Sequence, residues 1–107
     1  MLFMLQVKMA KPAEMSAQEF YQVWLKEAEV AVAGLKAGAI QALYKVAGQD
    51  AVVAILDVPS AERLDRAVHS MPIWKLGYAH LVTDIQWTAL RPYEEWAEDL
   101  KKLAAPR

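Results

Sequence analysis

The 107-residue sequence predicts an α+β domain, and three observations carry that reading. Apolar side chains alternate with a period of two in strand-like segments. Two intervening segments follow the helical period and begin after serines placed to cap them. The order of these pieces is β-α-β-β-α-β, with one further helical pattern at the end.

Residues 2–9 form the first strand: Phe3, Leu5, Val7 and Met9 share one face, with Leu2, Met4, Gln6 and Lys8 opposite. Pro12 ends it, and Ser16 with Glu19 has capping-box spacing for a long helix. At 100° per residue, Phe20, Val23, Trp24, Ala31, Gly34 and Leu35 fall on one side of that helix, and Gly38 stops it. Ala39–Ala47 and Ala51–Val58 are β-rich runs joined by Gly48-Gln49-Asp50, which reads as a hairpin. Asp57-Val58-Pro59-Ser60 closes the second run, and Ser60 caps a helix over 61–70. Met71-Pro72-Ile73-Trp74 breaks that helix and carries an apolar tip. His80–Thr88 reads as the fourth strand, with Leu81, Thr83, Ile85 and Trp87 on one face. Tyr93–Ala105 reads as a terminal amphipathic helix with Trp96, Leu100 and Leu103 on one side.

This order is the ferredoxin-like split βαβ arrangement, a four-stranded antiparallel sheet with both helices on one face. The second and third strands are apolar on both sides, so the other face needs a cover. A second copy of the chain is the economical one, giving a dimeric α+β barrel. The expected organisation is one domain over 1–107, with a core at 1–90 and a helical extension at 91–107.

Composition narrows the function classes. Apolar residues make up 56% and charged residues 23% of the chain, which argues against disorder. A net charge of −1 lacks the basic footprint of a nucleic-acid binder. With no cysteine there is no thiolate nucleophile and no Cys-based metal site. The start of the chain, interrupted by Gln6, Lys8 and Lys11, does not read as a signal peptide, and no apolar run approaches the ~20 residues of a membrane span. A cytoplasmic protein without membrane or nucleic-acid partners is expected. Four Trp, four Tyr and five Met exceed what so small a core can hide, which points to a homodimer or larger homo-oligomer.

Glu27 is the most informative residue. It lies about 20° from Phe20 on the helical wheel, inside the apolar stripe. A carboxylate facing a core is costly unless paired, and its pKa rises, which suits a general acid/base near neutral pH. The competing reading is a partly buried Glu bonded to a Lys or Tyr without a catalytic role. Lys8 and Gln6 lie on the first-strand face away from the helices, and Lys45 and Gln41 take the equivalent alternation on the second strand. His80, Asp84 and Gln86 share one face of the fourth strand. Such a face offers donors for a carboxylate-bearing small-molecule ligand, the alternative being a solvated sheet face. Trp24 and Tyr44 read most simply as core, whereas Trp74, after the Met71-Pro72 break, is placed to line a pocket or interface. His69 and His80 lack metal-ligand spacing, and no glycine-rich phosphate loop is present, so neither a metal nor a cofactor is expected.

Four segments carry a family resemblance. Phe3–Met9, Leu43-Tyr44-Lys45-Val46-Ala47-Gly48, Asp57-Val58-Pro59-Ser60 and Met71-Pro72-Ile73-Trp74, in this order and spacing, resemble the muconolactone delta-isomerase family. The resemblance implies a ferredoxin-like dimeric barrel, higher oligomers built from dimers, and no cofactor. It also implies isomerisation of an unsaturated lactone that carries a carboxylate. Glu27 falls where the family has a helix-1 glutamate and becomes the leading acid/base. Lys8 matches a first-strand Lys able to hold the substrate carboxylate or a dienolate oxygen. Gln6, Tyr44, Lys45, Trp74 and His80 are the candidate substrate-binding residues. The chain departs from the family pattern at Gln6 and Gln49, where the family has His, at Lys45, where it has Arg, and at Ala42. Two other readings stay open: a cofactor-free monooxygenase or cyclase on the same barrel using His80, and a non-catalytic small-ligand-binding protein.

Overall fold

A computed structural model describes residues 1–106. Four strands, β1 (Leu2–Met9), β2 (Ile40–Lys45), β3 (Ala51–Asp57) and β4 (Val82–Leu90), form one antiparallel sheet in the order β2-β3-β1-β4. Helices α1 (Ala17–Lys36) and α2 (Ala61–His69) follow β1 and β3, a four-residue helix α3 (Pro72–Lys75) follows α2, and α4 (Tyr93–Leu103) ends the chain. This is the ferredoxin-like α+β arrangement that the pattern predicts. Arg107, last residue of the expected extension, lies outside the described residues.

Local signals set the boundaries. The Ser16 and Ser60 hydroxyls accept from the Glu19 and Arg63 N–H groups, at 3.1 and 3.2 Å, and so satisfy first-turn donors of α1 and α2. After α1 the chain turns through Gly38 at φ 86°, a left-handed conformation that favours glycine. Residues Met9, Met15, Phe20, Val23, Ile73 and Leu81 form the core between the helices and one sheet face, with Val7, Trp24, Trp74, Tyr78 and Val82 packed against it.

Three placements differ from the sequence reading. The strand expected from His80 begins at Val82, because Ala79–Leu81 makes a 3₁₀ turn that buries Leu81 completely. His80 therefore stands before the strand and not in the row of Asp84 and Gln86. On β2 an irregularity between Ile40 and Ala42 shifts the alternation: Ala42 pairs with Ile55, Tyr44 with Val53 and Lys45 with Val52. Val52 in turn faces Val7 across β1, and Val7 packs on the core. Lys45 thus lies on the helix-covered side at the sheet edge, and the extra residue puts Tyr44 on the open face, 67% exposed instead of in the core. Finally, Met71–Trp74 does not merely break α2. Pro72 starts the new turn α3, and Ile73 is buried at 2% exposure.

Candidate active site

Glu27 is built into the layer between α1 and α3. Its position on the buried stripe of α1, one turn after Trp24, aims the carboxylate at the start of α3. There Oε2 accepts the Ile73 N–H at 2.8 Å, a donor with no partner inside its own helix. The other oxygen, Oε1, accepts no hydrogen bond from the described residues and is not sealed from solvent. No Lys, Arg or His lies within 4 Å of the carboxylate among the described residues. Burial pushes the Glu27 carboxyl above its ordinary value, and the Ile73 N–H offsets only part of that rise. One oxygen is held and the other is free, on a half-buried carboxylate without a counter-ion. That arrangement can take up and return a proton at a higher pH than an ordinary carboxylate does.

Trp74, half-buried beside Ile73, meets His69 edge to face at 6.4 Å, so α3 packs aromatic surface next to the Glu27 contact. Exposed His80 tilts against Tyr78 at 6.3 Å. Trp24 meets Phe20 edge to face at 5.9 Å.

Lys8 and Gln6 sit elsewhere. Their side chains alternate with Val7 and Met9, which the helices cover, so they point to the open face of the sheet. There Lys8 pairs in register with Asp84 and Gln6 with Gln86, and Gln86 Nε2 donates to Asp84 Oδ2 at 3.3 Å. A shallow hollow of about 240 Å³ runs over these four residues, Gln49 and Val53. The sheet separates this hollow from Glu27. Within one chain the structure groups Glu27 with Trp74, and Lys8 with Gln6. It leaves Tyr44 at the outer end of the open face, and Lys45 at an edge where Nζ donates to the Val46 carbonyl at 3.2 Å. Sequence reasoning did not find the Ile73 N–H or Asp84 opposite Lys8. The only local signal for the first was Pro72, which marks a helix start and hence free N–H groups one residue on.

Fold and site together define a small ferredoxin-like α+β protein with a half-buried carboxylate held between α1 and α3. The model of the Muconolactone delta-isomerase family matches residues 1–95, and the chain belongs to that family. Among solved structures, a muconolactone isomerase at 26% identity superposes with a TM-score of 0.69, over 86% of this chain and 90% of that one. A 5-chloro-2-hydroxyhydroquinone dehydrochlorinase from Burkholderia phenoliruptrix AC1100, in complex with 2,5-dihydroxybenzoquinone, shares the fold at 19% identity and a TM-score of 0.59. It covers 85% of this chain and 94% of that one. No curated protein sequence matches the chain. No helix among the described residues is long and apolar enough to cross a membrane.

Proposed function

We propose that this protein is a cofactor-independent isomerase that shifts a proton within an unsaturated lactone bearing a carboxylate, with Glu27 as the acid/base. The observation that carries the proposal is the Glu27 geometry: Oε2 fixed by the Ile73 N–H, Oε1 unbonded, and burial raising the carboxyl pKa. In the reaction Oε1 removes a proton from carbon beside the conjugated lactone, and the electron pair spreads into a dienolate. The resulting carboxylic acid returns the proton at another carbon of that system. Atoms and charge balance, and nothing is oxidised. A raised pKa narrows the gap between the carboxylate and a carbon acid, which speeds the first step. Family membership supports the reaction class.

In this reading a second copy covers the open sheet face, where Met4, Val53 and Ile55 are only half-buried. Lys8 lies on that face, so a small lactone held at Glu27 does not reach it in the same chain. Its expected role in binding the substrate carboxylate is a separate arm of the test. An ultraviolet-absorbance assay with muconolactone compares the natural protein, Glu27→Gln and Lys8→Met. Turnover lost in Glu27→Gln and retained in Lys8→Met supports the proposal. Full turnover in Glu27→Gln refutes the acid/base assignment, and no turnover by the natural protein refutes the substrate.

A further inference from the structure

The described chain exposes 7520 Å². A compact 12.0 kDa monomer exposes roughly 6,000 Å², so about 1,500 Å² is in excess. That excess is about two standard half-interfaces of roughly 800 Å² each. The shape agrees: the molecule measures 65 × 26 × 22 Å, and its radius of gyration is 17.3 Å where a compact chain of this length has about 13 Å. The open sheet face takes one half-interface if, as in the proposed function, a second copy covers it. The other is sought among the exposed large apolar side chains, and most of those lie on two helical seams.

The first seam runs along the flank of α1: Tyr21, Leu25, Ala28, Val32 and Leu35, in steps of four and three residues. It is centred about 100° around the helix from the buried Phe20 side, so the protein's own sheet does not cover it. The second seam runs along α4: Tyr93, Trp96, Leu100 and Leu103, in steps of three and four. No residue of α4 is buried. An isolated helix of eleven residues is marginal in water, so α4 requires a partner. Arg91 fixes its direction at the hinge: the guanidinium bonds Asp99 at 2.6 Å and lies 6.0 Å from the Trp96 ring centre. The family match ends at residue 95, so most of this seam lies beyond what the family model describes.

We infer that α4 is an exchange arm whose seam packs along the α1 seam of a second copy of this chain. Alternating three- and four-residue steps are the pattern by which two helices interlock side by side. The lengths fit as well. The α1 seam spans about 21 Å and the α4 seam about 15 Å at 1.5 Å per residue. Ala28, the small residue in mid-seam, leaves a hole that Trp96 can fill. Within one chain both seams stay open, so the pairing is between copies.

The chain contains no cysteine, which makes disulfide trapping clean. Leu25→Cys and Leu100→Cys, both at exposed positions that tolerate the change, are placed on separate chains carrying tags of different size. The chains are co-expressed and oxidised mildly. The expected product is the mixed disulfide, at least tenfold over either like-with-like product. A predominant Leu100→Cys homodimer, a predominant Leu25→Cys homodimer, or no cross-link overturns the inference. So does a covalent monomer from a single chain carrying both cysteines, or preferential trapping of Leu100→Cys by Thr88→Cys on the open sheet face. Sedimentation velocity of Leu100→Glu gives an independent reading: a smaller particle is expected, and an unchanged assembly overturns the pairing. Neither experiment depends on turnover, so the outcome is separate from that of the proposed reaction.

Discussion

On the helix-covered face of the sheet, Glu27 is half-buried and meets one backbone N–H, whereas on the open face Lys8 stands opposite Asp84 where both are exposed. The first carboxylate lies in an apolar setting, whereas the open face groups its charges with Gln6, Gln49 and Gln86, and the proposed proton transfer rests on the first. At the covered site burial destabilises the ionised form and a single fixed donor orients it. At the open site Lys8 and Asp84 are exposed, so solvent screens both charges and no burial penalty acts on either. The proposed reaction therefore uses the charge that the chain leaves incompletely compensated, not the face with the most polar groups.

The largest expected effect tests that contrast directly. Glu27→Gln keeps an acceptor for the Ile73 N–H but cannot take a proton, so kcat should fall about 10²–10⁴-fold with little change in KM. Lys8→Met should leave kcat within tenfold, with any loss appearing in KM. The reverse ranking, read by steady-state kinetics on the two variants, would move the chemistry to the open face. Stability should divide in the same way. Ile73 is 2% exposed, so Ile73→Ala is expected to cost about 2–5 kcal/mol by chemical denaturation. Val53→Ala on the half-buried open face should cost about 1 kcal/mol in dilute protein. A Val53→Ala cost that grows with protein concentration would show that a second copy covers this face.

Much of the contrast was legible beforehand. The period-two and helical patterns gave the strands and helices, and the helical wheel put Glu27 inside an apolar stripe before any contact was known. What escaped depends on geometry that period counting cannot carry. Ile73 lies 46 positions from Glu27, and a hydrogen bond at that separation exists only once α1 and α3 are packed. Lys45 was misplaced because one irregularity in β2 reverses the side on which every later residue points. His80 was read as strand because alternation alone does not reveal the 3₁₀ turn that precedes β4. The same counting placed Lys8 and Gln6 correctly, since β1 pairs without a shift up to Lys8.

The smallest effect is a pH slope, and it isolates the covered site. The folded-state pKa of Glu27 is raised above the ordinary 4.5, mainly by burial. Between the ordinary and the raised value the folded protein binds more protons at this group than the unfolded chain does. Stability from Glu27 therefore falls as pH rises through that window and levels off above it. Below the ordinary value the group is protonated in both states and contributes no slope. Glu27→Gln removes the titration, so thermal melts across this range should show the variant gaining on the natural protein as pH rises from about 4.5 toward neutrality. Lys8→Met leaves the Glu27 carboxyl in place and should show no such divergence. A Glu27→Gln difference that stays flat with pH would mean that water reaches both carboxylate oxygens. The covered face would then treat its charge as the open face does, and the case for Glu27 as the acid/base would lose its physical basis.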